Sequence, residues 1–347
     1  MNEQHRSSAA SPGPGSAGTG PSPGWVTPGL RLGGRFVLLE TIGVGGEAVV
    51  ARARDEQLRT IVAIKLLRSD DDELQDRFVG EAEMLANVQH PAIVRVLAHG
   101  RDELPGGSVW YMALELLAGP NLGQRLADAL AGGGPLPWRQ VVEIGIQIAD
   151  ALDAAHRKGL IHRDVKPGNI MLAEPGDPTR VKLIDFGCAR VTESYRDPTG
   201  FVPEPRRRTG VGLAIGTPGY LPLEAGLAPA DERFDVFGLG ATLYQLLTGQ
   251  RPFEGSNNAS LAYQIVHHVP PPPSSLRPEV PPELDAICVT ATMVDPARRY
   301  ATADAMALDV ERHPLIYDVS VGVGGRGAHG VMVPRAAAKR REKAMAE

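Results

Sequence analysis

The stretch HRDVKPGN, residues 162–169, sets His, Arg, Asp, Lys and Asn between two short apolar runs, LI at 160–161 and IML at 170–172. Charged groups at that density do not read as core packing, because a buried charge must be paired and hydrogen-bonded to be tolerated. Sixteen residues beyond Asn169 the apolar run VKLI leads into Asp185, Phe186 and Gly187. Asp185 and Asn169 are both oxygen-ligand residues. Such residues suit Mg²⁺, which keeps several waters and binds through one or two protein groups plus phosphates.

Upstream, TIGVGGEAVV at 41–50 carries Gly43, Gly45 and Gly46 but Ala48 where a phosphate-cradling loop is expected to have glycine. In a chain with 40 glycines among 347 residues, this stretch taken alone fits a hairpin turn as well as it fits a nucleotide loop. VAIK at 62–65 is more discriminating. Side chains alternate across a strand, so Ala63 and Lys65 share one face. The small residue leaves room for a flat base, and the lysine reaches towards phosphate oxygens. Its Ile, Val and Leu neighbours argue against an ordinary surface lysine.

DDDELQDRFVGEAEMLANV at 70–88 reads as a helix, with Leu74, Phe78, Leu85 and Val88 at helical spacing and Asp70 to Asp72 suited to a positive N-terminus. Glu81 lies on that inward stripe and needs a cationic partner; Lys65 is the natural one. Glu83 falls off the stripe and is expected to face solvent.

Composition narrows the setting. A net charge of −5 with 22% charged residues gives no sign of a nucleic-acid or membrane-surface role. Cys188 and Cys288 cannot build a disulfide framework and are expected as free thiols. No apolar run approaches the roughly 20 residues that cross a bilayer, and no signal-peptide pattern opens the chain. A soluble, cytoplasmic protein is expected. Residues 1–29, rich in Ser, Ala, Pro and Gly, are expected to be a disordered leader, and residues 313–347 a flexible tail. Between them, strands are expected near RFVLLETIG, at 60–68 and at 109–117. Helices are expected at 138–159, with Val141, Ile144, Ile148 and Leu152 on one stripe, and at 236–249.

Taken in order, GVGGEAVV, VAIK, Glu81, HRDVKPGN, DFG and GTPGYLPLE closely resemble the protein kinase family over residues 36–312. Within it the chain is similar to bacterial eukaryotic-type (Hanks-type) serine/threonine kinases, given LGGRF, GVGG and HPAIV. The resemblance implies a bilobal α+β fold, with a β-rich N-lobe over 36–116 holding one key helix and a mainly helical C-lobe over 117–312. It implies ATP and Mg²⁺ as cofactors and Ser/Thr hydroxyls of proteins as acceptors. Ile42, Gly43, Val44, Gly45, Gly46, Glu47, Ala48, Val49 and Val50 would cover ATP, with Ala63 against the base. Lys65, oriented by Glu81, would hold the α- and β-phosphates. Leu114 would guard the back pocket, and the backbone of Glu115 and Leu117 would bond adenine. Asp164 would accept or orient the substrate proton, Lys166 would stabilise the γ-phosphate, and Asn169 and Asp185 would hold Mg²⁺. Lysine two places after the catalytic aspartate is the Ser/Thr form.

The family's APE is here Pro222-Leu223-Glu224, which puts peptide specificity in question; Arg299 is placed to pair with Glu224. Asp235 matches a buried helix-start aspartate, and Thr217 a threonine that contacts Asp164 and Lys166. The 38 residues between Asp185 and Glu224 include Thr192, Ser194, Tyr195, Thr199 and Thr209. Autophosphorylation is expected within 188–216, at Thr209 first, with Arg163 as the partner of the phosphorylated residue. The alternatives are a pseudokinase that binds ATP or scaffolds, and a small-molecule phosphotransferase of related fold.

Overall fold

Short alternating apolar runs at the start of the chain and longer helical stripes after it produce an α+β protein. This computed structural model describes residues 24–45, 48–104, 107–186, 190–191, 216–226 and 228–312. The described chain divides into two compact units, one of residues up to Asp76 with Leu97–Leu116, the other of Arg77–Val96 with residues from Leu117.

The first unit is a six-stranded sheet: β1 (Arg31–Leu32), β2 (Phe36–Val44), β3 (Val49–Asp55), β4 (Thr60–Leu67), β5 (Val96–Leu104) and β6 (Gly107–Glu115), in the order β1-β2-β3-β4-β6-β5. The pleat sends Ala51, Ala53 and Asp55 inward and Arg52 and Arg54 outward. Leu32, Phe36, Leu38, Val62, Ile64, Leu66 and Val109 form its buried core. Each fully buried side chain of this size contributes about 1.5–3 kcal/mol. Structure extends into the end of the expected leader. Val26 is buried in this core, and the Gly29 N–H donates to Leu38 O at 2.8 Å. The apolar pair Trp25-Val26 has sheet to cover, which the flanking Pro and Gly residues disguise in sequence. Gly33 is required by its φ of 56° and by Tyr111, whose hydroxyl lies 2.2 Å from where a Cβ would stand.

Asp55 closes the β2–β3 end of the sheet. Its fully buried carboxylate accepts from Arg35 Nε at 2.9 Å and Nη2 at 2.7 Å, and from the N–H groups of Gln57 and Leu58 at 2.9 and 3.1 Å. The Arg35 hydrogen bond, opposed by burial and aided by those N–H groups, holds the carboxyl below its ordinary range. A carboxyl lowered by folding contributes stability above its unfolded value of about 3.9, and that stability is lost as pH falls through the lower folded value. Asp55→Ala is therefore expected to cost about 2–4 kcal/mol at neutral pH. Urea titrations of both proteins should show the gap narrowing below about pH 4; a pH-independent gap would refute the assignment.

The boundary between the units falls within α1 (Asp72–Ala86), most of which lies in the second unit. The helix starts on Asp71, whose Oδ1 accepts from Glu73 N at 2.9 Å and Leu74 N at 3.3 Å. It is shorter by two residues at each end than the periodicity alone suggests. Next come α2 (Leu122–Ala131), with an Asn121/Gln124 capping box, and α3 (Trp138–His156). On α3, Val141, Ile144, Ile148 and Leu152 are all buried, and the chain turns away at Gly159, φ 71°. The short strands β7 (Leu160–Ile161), β8 (Ile170–Leu172), β9 (Val181–Leu183) and β10 (Arg190–Val191) pair as β7 with β10 and β8 with β9. Helix α4 (Arg233–Thr248) is buried nearly all round and ends on left-handed Gly249, φ 81°. Helices α5 (Asn258–His267), α6 (Pro273–Leu276), α7 (Pro282–Ala291) and α8 (Ala303–Arg312) complete the unit. Arg299 binds Glu224 in bidentate fashion at 2.6 and 3.2 Å, the pairing expected from the sequence.

Candidate active site

The polar stretch 162–169 is a loop between β7 and β8, and its side chains converge on one carboxylate. Asp164 Oδ1 accepts the Thr217 N–H at 2.9 Å. Its Oδ2 receives Lys166 Nζ at 2.8 Å and Asn169 Nδ2 at 2.8 Å, and Asn169 Nδ2 also reaches the Asp164 carbonyl at 2.9 Å. Lys166 Nζ donates in addition to the Thr217 hydroxyl. Burial alone would raise the Asp164 carboxyl. The Lys166 ammonium, Thr217 and His162 outweigh burial and hold it below the usual carboxylate range. The group is thus held as an anion, not as a buried acid.

The loop backbone is strained and tied down. Arg163 has φ 67° and Asp185 φ 62°, left-handed values that cost a non-glycine residue about 1–3 kcal/mol each. Asp235, buried at the start of α4, accepts the His162 N–H at 2.8 Å and the Arg163 N–H at 2.7 Å, and it binds His156 Nε2 at 2.7 Å. His162 Nδ1 accepts the Asp164 N–H at 3.2 Å, which assigns the proton to Nε2, 3.1 Å from Ile184 O. Its ring meets Phe186 edge-on, 4.5 Å between centroids. The Ile184 N–H reaches Asn169 O at 2.9 Å. One hydrogen-bonded set therefore joins Asp164, Lys166 and Asn169 to the segment bearing Asp185. Gly216 has φ 129°, and a Cβ there would lie 2.7 Å from Arg163 O, so only glycine lets Thr217 come this close.

In the first unit, β2 and β3 form a hairpin closed by Gly45 N–H to Ala48 O at 2.9 Å. Gly43 pairs with Val50 and Val44 with Val49. Val50 in turn opposes Lys65, and Ala63 opposes Leu114 on β6. Register therefore sets the glycine hairpin, half-buried Lys65, buried Ala63, Leu114 and Glu115 on adjoining strands. Ile42 is exposed. On α1, Glu81 is buried and Glu83 exposed. Leu117, in the second unit, is half-buried. Gly46 and Glu47 lie outside the described residues, as do Gly187, Cys188 and the candidate autophosphorylation residues from Thr192 to Thr209.

Comparison with known proteins identifies the family. Residues 36–310 match the protein kinase domain. The chain belongs to the protein kinase family. This kinase chain is 38% identical over 308 residues to a probable serine/threonine-protein kinase of Streptomyces coelicolor, an alignment covering 86% of the chain and 43% of that protein. It is 38% identical over 286 residues to serine/threonine-protein kinase PknB of Mycolicibacterium smegmatis, covering 81% and 43%. It therefore spans less than half the length of these curated relatives. Among solved structures it is similar to the kinase domain of Mycobacterium tuberculosis PknI, with a TM-score of 0.59 and 26% identity over 81% of this chain and 96% of that one.

The donor set of the kinase loop suits ATP with Mg²⁺. Asn169 spends its Nδ2 on Asp164, and its Oδ1 accepts no hydrogen bond from the described residues, which leaves an oxygen to offer a cation. Among the described residues no three His, Cys, Asp or Glu side chains gather as a metal cage. Asn169 and Asp185 thus fit a partial ligand set of the kind Mg²⁺ completes with phosphate oxygens and water. His156 and the backbone role of Asp235 escaped the sequence reading: the pair lies 79 residues apart, and neither spacing nor composition links them.

Ala48 does not take a positive φ. Its methyl group sits on the returning side of the hairpin, so it asks nothing unusual of the backbone. Ala48→Gly is expected to change the KM for ATP by no more than about fivefold, since the gain from lost strain is absent and the cost is only that of extra backbone freedom, about 0.5–1 kcal/mol. Initial-rate kinetics at varied ATP would check this; a gain of tenfold or more would mean that the methyl crowds the nucleotide.

Proposed function

We propose that this chain is a serine/threonine protein kinase that transfers the γ-phosphate of ATP to Ser/Thr hydroxyls of protein substrates, itself included. The observation that carries the reading is the Asp164 carboxylate, ionised and held between Lys166, Asn169 and Thr217. The Asp164 carboxylate accepts the proton of the acceptor hydroxyl as that oxygen attacks the γ-phosphorus, while the bond from phosphorus to the β,γ-bridging oxygen breaks and ADP leaves. Lys166 Nζ, 2.8 Å from that carboxylate, faces the charge that develops on the transferred group. Lys65 would hold the α- and β-phosphates, with the glycine hairpin over the nucleotide, and Asn169 and Asp185 would hold Mg²⁺, which would neutralise phosphate charge. Positioning and charge neutralisation supply most of the catalysis in phosphoryl transfer, and fixed groups of this kind provide both. The reading extends to autophosphorylation within residues 188–216, with Thr209 first. The reading takes the enzyme as cytoplasmic, acting on proteins rather than on nucleic acid or membranes. Among the described residues no helix is long and apolar enough to cross a membrane.

Incubation with γ-labelled ATP, Mg²⁺ and a generic protein substrate tests the proposal, with Lys65→Met as control. Label on Ser and Thr in the wild type alone is the expected result. ATP binding without transfer would make the chain a pseudokinase. Phosphosite mapping of active and Lys65→Met protein tests the Thr209 assignment, which a fully active but unmodified enzyme would overturn.

A further inference from the structure

We propose that Arg251 selects substrates, favouring proteins with an acidic side chain within about three residues of the acceptor Ser or Thr; this rests on the kinase reading above. The acceptor hydroxyl must come within hydrogen-bond reach of Asp164, and Asp164 Oδ1 is bonded to the N–H of Thr217. The peptide therefore passes close to the segment 217–220. Buried Tyr220 ends that segment, and its hydroxyl donates to Gln245 Oε1. The Arg251 guanidinium stands over the Tyr220 ring, 5.6 Å from its centroid.

Arg251 is exposed, yet its backbone is fixed from both sides. Before it, left-handed Gly249 stops α4 and turns the chain. After it, Pro252 and Phe253 are buried, with Phe253 stacked on Phe237 at 5.9 Å and 11°. Gln245 beside the Tyr220 hydroxyl is neutral, and among the described residues Arg251 makes no ion pair with a carboxylate. A guanidinium so placed offers donors to a carboxylate and repels basic side chains. Its nearness to the chemistry has a second sign. Burial raises the Tyr220 hydroxyl, Arg251 opposes that rise, and the Asp164 charge adds to it, so both charges act on one phenol. An extended peptide advances about 3.4 Å per residue, so positions one to three residues from the acceptor cover the ground within about 10 Å of Asp164.

The test uses serine peptides on a neutral frame with Glu walked from three residues before the acceptor to three after it, and a matching Lys series. In the wild type, one or two Glu positions should raise kcat/KM about 3- to 10-fold over the neutral peptide, through KM, and less so at high salt. That ratio should fall to about one in Arg251→Ala, persist in part in Arg251→Lys, and pass to the Lys series in Arg251→Glu. Because ratios are compared, a general loss of activity in a variant does not mimic the effect. Equal ratios in wild type and Arg251→Ala, or no Glu preference in the wild type, would overturn the inference and leave the kinase reading standing. No transfer to any peptide would remove both.

Discussion

Asp164→Asn should lower kcat by about 10³-fold while leaving the Kd for ATP within about twofold. General-base contributions run to about 10²–10⁴-fold, and 10³-fold corresponds to about 4 kcal/mol of transition-state stabilisation. The geometry makes this substitution more damaging than a simple loss of charge. Oδ1 faces the Thr217 N–H, while Oδ2 faces Lys166 Nζ and Asn169 Nδ2, all of them donors. An asparagine has one oxygen to offer. Either its amide turns towards Lys166 and Asn169, donor against donor, or it turns towards Thr217 and loosens the segment that carries the acceptor site. ATP contacts assigned to Lys65 and the glycine hairpin are untouched. Single-turnover transfer measured beside equilibrium ATP binding separates the two effects, and retained turnover would refute the assigned role.

Those donors show what the sequence could and could not say. Motif spacing was enough to bring Asp164, Lys166, Asn169 and Asp185 into one reading, because each lies in a short local string whose chemistry is visible in its residue types. Periodicity was enough for α1 and α3, and for the inward turn of Glu81 against the outward turn of Glu83; a continuous apolar run closed by Gly249 was enough for α4. Strand β5 went unread: VLAHGRDEL alternates between half-buried and exposed positions without a β-branched run, so its pairing with β6 alone makes it a strand. Helix boundaries drifted by a few residues for a similar reason, since caps such as Asp71 decide them rather than the apolar stripe. The left-handed backbones of Arg163 and Asp185 had no local signal at all. Non-glycine residues hold such φ values only when distant partners enforce them, and here those partners include Asp235, 72 residues beyond Arg163.

Asp235→Ala is accordingly expected to lower both stability and turnover, although Asp235 is placed to touch neither ATP nor acceptor. Its carboxylate is fully buried among the N–H groups of His162 and Arg163 and the His156 ring. Burial pushes the carboxyl up, and the His156 hydrogen bond and charge, with the Arg163 N–H, outweigh that and hold it below the ordinary range. Removing it leaves two backbone donors and an imidazole without their acceptor in a dry site, a loss of about 3–5 kcal/mol. For a domain of this size, that is about 5–10 °C in Tm. The same loss releases the strained Arg163 backbone, so the carboxylate of Asp164 no longer keeps its place opposite Lys166. Turnover measured well below the lowered Tm should therefore still fall by tenfold or more, with the KM for ATP little changed. His156→Ala, which removes one partner and leaves both backbone bonds to Asp235, should destabilise the protein and spare most of kcat. If the two variants lost stability and turnover in the same proportion, the loop would be tolerant of its anchor, and Asp235 would be a core residue rather than a positioning one.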